Sequence, residues 1–260
     1  NGRILMRVDF LTLFPEMIRS AVSYSIPARA QAAGLLDVGF VNIRDYTHDR
    51  HRTADDAPYG GGAGMVMKVE PIAEALDALD LSGRPAEVIL LGAHGQPFHQ
   101  KMAEELAARD RLVFICGHYE GVDERVRQNL VSREISIGDY VLTGGELPAL
   151  VVLDAVVRLL PGVLGSDEST LEESFTSGLL EYPQYTRPEE YRGWKVPQEL
   201  LSGHHANIRK WRRVQALKAT LQKRPELLKT AKLTEEDLRI LEDFEACGSL
   251  SPEDDDPETK

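Results

Sequence analysis

A chain of 260 residues, 42% of them hydrophobic, can bury one sizeable core or two smaller ones, which excludes global disorder. It contains no run of about 18 apolar residues and no apolar leader with a cleavage site, so it reads as a soluble, cytoplasmic protein without a membrane partner. The net charge of −12 argues at face value against nucleic acid, but residues 187–232 carry +8 against −9 for residues 233–260. A basic block therefore sits between an acidic body and an acidic tail. Met6, ahead of a strand-like run, is a candidate start, and residues 1–5 are set aside.

In chain order, MRVDFLTLF predicts a buried strand, and Pro15 opens a helix expected to run to Gly34. LDVGFVNI predicts a second strand. A polar loop leads to YGGGAGM, and Pro71 opens the next helix. EVILLG, RLVFICG and REISIG are further short apolar runs, separated by helical patterns at HQKMAEELAA and VDERVRQNL. This alternation predicts an α/β domain with a largely parallel sheet. ELPALVVLDAVVRLLPG predicts a long helix, ended by Pro161 and Gly162, whose apolar residues run nearly all the way round. Either a dimer interface or a large core would bury it. After it comes a small, acidic, linker-like stretch, GSDESTLEESFTSG, then helices at HANIRKWRRVQALKATLQ and TEEDLRILEDFEA. The domains are expected at 6–164, a flexible linker at 165–182, an all-helical unit at 183–248 and a disordered acidic tail at 249–260.

CGHYEGVDERV and SIGDYVLTGGELPAL place glycines just after predicted strands, where bare backbone at the carboxyl edge of a sheet can approach a ligand. Neither fits a dinucleotide fingerprint, and YGGGAGM lacks the Lys-Ser/Thr of a phosphate-cradling loop. Tight turns are the plain alternative for any one of these loops, though three in one domain point to a pocket. The two cysteines, Cys116 in an apolar run and Cys247, make neither a disulfide framework nor a zinc set. Cys116 reads as a small buried hydrophobe.

YGGGAGMVMK, CGHYEGVDERV, SIGDYVLTGGELPAL, RLLPGVLG, EESF, YTRP and LLSGHHANIRKWR occur in that order, within a resemblance that spans about Met6 to Gly248. As an ordered set they resemble the bacterial tRNA (guanine-N1)-methyltransferase family, the TrmD family of the SPOUT superfamily. The resemblance implies a parallel sheet with a deep trefoil knot, a bound S-adenosylmethionine, an anticodon arm of tRNA as partner and a homodimer. The implied reaction is methylation of guanine 37 at N1, 3′ of the anticodon. Cofactor contacts are implied at Leu90, Leu91 and Gly92, at Gly117, Tyr119 and Glu120, and at Ile137, Gly138, Asp139, Tyr140, Val141, Leu142, Gly144, Gly145 and Pro148. At Gly92-Ala93 the chain departs from the family's commoner Ser-Pro. Each site is implied to join one subunit's pocket to the other's linker and C-terminal unit. Magnesium is associated with the family's catalysis, and no carboxylate cluster in the sequence marks a stable metal site.

Guanine N1 carries a proton at neutral pH, so the chemistry needs a base for it and a cation near O6. The resemblance places the base at Glu173, one methylene longer than the family's Asp, and the cation at Arg158, with Glu120 also at the reacting centre. Glu172 and Asp167 are rival carboxylates, and Arg158 has an ordinary reading as an ion-pair or snorkelling residue. Tyr59, Gly62 and Ser174 are expected on the substrate side. Arg209, Lys210, Arg212 and Arg213 flank Trp211, the mixture that meets phosphates and bases, with a solvated helix face as the alternative. His48 and His51 favour a structural or RNA-facing role over metal binding. Two other readings stand beside the enzyme: an RNA-binding protein of the same fold with weak or no catalysis, and a related methyltransferase acting on another RNA or on a ribose hydroxyl.

Overall fold

The computed structural model describes residues 6–81, 83, 85–164 and 173–246. The chain forms two compact units, residues 1–166 and 167–260. Asp167, Glu172, Cys247, residues 1–5 and the acidic tail lie outside the described residues.

The first unit contains β1 (Met6–Thr12), α1 (Pro15–Val22), α2 (Ser25–Ala32), β2 (Leu36–Asn42), β3 (Asp55–Asp56), β4 (Val66–Met67), α3 (Val69–Asp77), β5 (Glu87–Pro97), α4 (Gln100–Ala107), β6 (Arg111–Cys116), α5 (Glu124–Leu130), β7 (Arg133–Ser136) and α6 (Glu146–Val157). Five strands form one sheet in the order β2-β1-β6-β5-β7, and every pairing in it is parallel. Successive residues of a strand point to opposite faces, and here both faces are cores. Val8, Phe10, Ile89, Leu91, Leu112 and Phe114 pack under α1, α2, α4 and α6. Leu11, Val88, Leu90, Val113 and Ile115 pack under α3 and α5. That double burial is why the central strands read as unbroken apolar runs.

Three elements differ from expectation for local reasons. The helix expected from Pro15 to Gly34 is two helices, because Ser25 takes a left-handed conformation (φ 55°) and the Ser23 hydroxyl donates to the Arg19 carbonyl at 2.6 Å. The long apolar helix ends at Val157, before Pro161, although Leu160 and Val163 remain buried. The strand at EVILLG continues to Pro97 through a wide bulge, so Leu91 and Gln96 both pair with Ile135. A Cβ on Gly95 would lie 2.4 Å from the Ile135 carbonyl carbon, so this crossing tolerates only glycine.

The second unit contains β8 (Glu190–Tyr191), β9 (Trp194–Lys195), α7 (Gln198–Leu201), α8 (His205–Lys223) and α9 (Glu235–Ala246), with a 3-10 turn at Pro225–Lys229. The expectation of an all-helical unit is corrected by the antiparallel β8–β9 hairpin. Two adjacent left-handed residues, Arg192 (φ 55°) and Gly193 (φ 85°), make its turn. A small core joins Leu179, Leu217 and Leu241. Leu179 comes from the stretch expected to be a flexible linker, yet it is 1% exposed, and the Leu180 amide donates to Thr220 Oγ1 at 2.9 Å. Residues 173–182 are thus anchored to this unit.

Candidate functional site

At the carboxyl edge of the parallel sheet, strand β5 and the chain leaving β6 and β7 surround one cleft. Every position expected to hold the cofactor lines it except Asp139: Leu90, Leu91 and Gly92, then Gly117, Tyr119 and Glu120, then Ile137, Gly138, Tyr140, Val141, Leu142, Gly144, Gly145 and Pro148. Leu90 and Leu91 are buried strand residues, whereas Tyr119, Tyr140, Val141 and Leu142 are exposed. A rigid apolar floor therefore meets a rim of exposed aromatic and aliphatic side chains, the lining that concave ligand sites favour.

The glycines act by letting backbone come close. A Cβ on Gly145 would sit 2.7 Å from Cys116 Cα, and the Gly145 amide donates to the Gly117 carbonyl at 2.8 Å. The two pocket loops are thereby joined main chain to main chain. Gly138 (φ 149°) and Gly121 (φ 115°) take conformations that favour glycine. In the Tyr59–Met65 loop, Gly60, Gly61, Gly62 and Gly64 all have positive φ, and a Cβ on Gly64 would run into the Glu120 side chain. The Glu120 amide donates to the Met65 carbonyl at 3.0 Å, tying that loop to the cleft wall. Tyr59 is fully exposed and lines a second, wider cleft beside Lys68, Glu70 and Arg125.

Sequence reasoning missed a buried polar cluster behind the cleft. Glu146, 1% exposed in the first turn of α6, accepts from Thr12 Oγ1 at 2.6 Å and lies 2.7 Å from His118 Nε2. Phe14 packs against the His118 ring at 5.0 Å between centroids, and His118 lines the cleft. The end of β1, the first pocket loop and the start of α6 are thus held by one carboxylate. A histidine inside CGHYEG and a glutamate at the first position of a buried helix were the available signals. Burial, and after it the charge on Glu146, pushes the Cys116 thiol well above its usual range, so this buried free cysteine stays protonated. Arg127 and Glu134, paired at 2.9 Å, also line the cleft and were missed.

Arg158 caps α6 on the stripe formed by Leu147, Val151 and Asp154, spaced four, three and four residues apart. Leu147 and Val151 are about half exposed. Glu173 lies in the turn that opens the described part of the second unit, where its carbonyl accepts from the Thr176 amide at 3.3 Å. The Ser174 hydroxyl accepts from the Glu181 amide at 2.8 Å, so it braces this loop. Arg209 and Lys210 are exposed on α8, Lys210 lying 3.3 Å from Glu236. Arg212 lies over the Tyr182 ring at 4.8 Å, and half-buried Trp211 meets Tyr185 edge-on.

Arg213 departs from the expected role as a free phosphate contact. Its guanidinium grips Asp237 with two bonds of 2.8 and 2.7 Å, pinning α8 to α9. This pair, helped by bonds from Thr234, holds the Asp237 carboxyl down at about 2. Exposed His48 contacts both oxygens of Glu74, which raises its pKa, and the His51 amide donates to Asp49. Among the described residues, no group of three or more His, Cys, Asp or Glu side chains is placed to hold a metal ion. None of the described helices is long and apolar enough to cross a membrane.

A parallel sheet covered on both faces, with bare backbone and an apolar floor at its carboxyl edge, defines an α/β protein built to take a small ligand in a loop-walled cleft. Residues 6–230 match the family model described as tRNA (Guanine-1)-methyltransferase TrmD, and the chain belongs to that family. Relatives named tRNA (guanine-N(1)-)-methyltransferase include that of Desulforamulus reducens, 58% identical over 91% of this chain and 94% of the relative. That of Pelotomaculum thermopropionicum is also 58% identical, over 92% and 96%, and that of Dictyoglomus turgidum 56%, over 92% and 97%.

Proposed function

We propose that this chain is a tRNA (guanine(37)-N1)-methyltransferase that uses S-adenosylmethionine and works as a cytoplasmic homodimer on the anticodon arm. The observation that carries the reading is the convergence of strand β5 and two glycine-rich loops on one cleft in a chain of this family. The cleft suits the cofactor in kind: Leu90, Leu91, Ile137 and Pro148 offer apolar surface to a purine ring. Half-buried main chain at Gly117 and Gly138 lets a ligand come close to the backbone, and Glu120 offers a negative charge to an ammonium group. When bound there, S-adenosylmethionine supplies an electrophilic methyl group.

The chain's own residues then manage one proton. Glu173 accepts the N1 proton of guanine at roughly 2.6 to 3.2 Å, so that the attacking nitrogen carries no extra positive charge. Arg158 stabilises the negative charge that develops at O6. The half-exposed stripe of Leu147 and Val151, ending at Arg158, supports a dimer in which covering that stripe also brings Arg158 towards the partner subunit. The deep knot implied by the resemblance is part of the proposal, supported by the close passages of Gly95 against Ile135 and of Gly145 against Cys116. Magnesium enters through the family's chemistry alone.

Methyl transfer from labelled S-adenosylmethionine to an anticodon stem-loop, followed by mapping of the modified atom, tests the reading. Label at N1 of the guanine 3′ of the anticodon is the expected result. Label on a ribose oxygen or another base would overturn the assignment, and tight RNA binding without transfer would leave an RNA-binding protein.

A further inference from the structure

The β8–β9 hairpin has no part in the cleft, yet its side chains are arranged for contact. Tyr191 and Trp194 face each other across the strands beside the turn, with ring centroids 6.0 Å apart and planes tilted by 56°. Tyr191 is 53% exposed and Trp194 62%. Two residues per strand cannot hold a hairpin by main-chain bonds alone. The tight Arg192–Gly193 turn, the Val196 amide donating to the Glu189 carbonyl at 3.0 Å, the Lys195–Glu190 pair at 3.6 Å and the cross-strand aromatic pair fix it together. The guanidinium of Arg192 lies 5.2 Å from the centre of the Tyr191 ring, so one aromatic of the pair already carries a cation.

Large apolar rings are costly to leave in water, and their tilt prevents them from covering each other face to face. The indole plane of Trp194 therefore remains available to a third flat ring. The setting selects the kind of ring. Beside the pair, Lys195 is matched by Glu190, but residues 187–232 together carry a net charge of +8 and Arg192 lies on the Tyr191 ring, so the approaching partner is polyanionic. A flat ring attached to a polyanion is a nucleobase, and only an unpaired base can leave its own stack to lie on an indole.

We propose that the Tyr191–Trp194 hairpin is a stacking platform for an unpaired nucleobase of the RNA substrate, separate from the guanine that is methylated. This rests on the reading of the chain as a tRNA methyltransferase and adds a base-recognition point to it. It accounts for aromatic side chains kept in water on an otherwise hydrophilic turn.

The chain has two tryptophans, so a Trp211→Phe background leaves Trp194 as the sole indole emitter in the full-length protein. Titration with unmodified tRNA should quench that emission, while a fully paired RNA duplex of similar length should not. In the otherwise wild-type chain, Trp194→Ala should weaken tRNA binding roughly 10-fold or more, the scale of one lost base stack. Its salt slope and its S-adenosylmethionine affinity should not change, and Trp194→Phe should restore most of the loss. Equal quenching by the duplex, unchanged tRNA affinity in Trp194→Ala, or a change of oligomeric state in that variant would each overturn the platform; the last would make a second copy of the chain the occupant. If the wild-type chain neither binds nor methylates tRNA, the functional reading falls and the platform falls with it. If the Trp211→Phe chain binds tRNA but Trp194 emission is unmoved, the platform alone falls.

Discussion

The two units are built of opposite materials. In the first, the cleft is made of main chain: Gly145 against Cys116 and Gly95 against Ile135 leave no room for a Cβ, and the supporting Glu146 is buried between Thr12 and His118. In the second, a core of a few leucines carries long charged and aromatic side chains on its surface, and ion pairs such as Arg213–Asp237 replace absent apolar bulk. A small, uniformly shaped ligand rewards fixed backbone, since a wall that cannot move needs no ordering when the ligand arrives. A large polyanion rewards reach and charge, which flexible side chains on a modest scaffold supply.

The comparison breaks most sharply at Gly145. Gly145→Ala forces a Cβ into the Cys116 backbone, so calorimetry should show S-adenosylmethionine affinity falling by at least about 100-fold, with a lowered unfolding temperature. Glu173→Gln keeps size and removes basicity; single-turnover methyl transfer should slow by about two orders of magnitude while cofactor affinity holds. Glu146→Ala strands the Thr12 hydroxyl and the His118 ring, and denaturant unfolding should register a loss of about 2–3 kcal/mol, partly restored in Glu146→Gln.

Asp237→Asn tests the second unit. The native carboxyl sits near 2, below its ordinary value of 3.8, so the unfolded chain binds the proton more readily. The stabilisation is therefore whole above about pH 4 and is lost as pH falls through about 2. Asp237→Asn should cost this unit about 2 kcal/mol at pH 7, a deficit that shrinks towards pH 2. The smallest effect belongs to Arg209→Ala and Lys210→Ala, each expected to flatten the salt slope of tRNA binding by about one unit without altering cofactor affinity. Arg213→Ala should instead mimic Asp237→Asn in unfolding, because its charge is already committed to Asp237.

Much of this was legible beforehand because it depends on periodicity and on ordered motifs. Strands such as RLVFIC announce themselves as apolar runs, and the glycine loops announce the cleft. What stayed hidden depends on partners far apart in sequence. Nothing near Arg213 reveals that Asp237 would claim it, and nothing in TLFP shows that Thr12 would meet Glu146. The hairpin at Glu190–Lys195 escaped because strands of two residues carry no period. Leu179 escaped because one buried leucine in a polar stretch does not look like core.

The bond from Thr12 to Glu146 spans 134 residues. During synthesis the first strand leaves the ribosome long before its carboxylate partner exists, and chains emerge at about 5–20 residues per second. For several seconds, then, every nascent chain holds most of a sheet but no closed cleft. A ligand of this cleft can aid folding only after α6 has emerged, when the second unit is already being made.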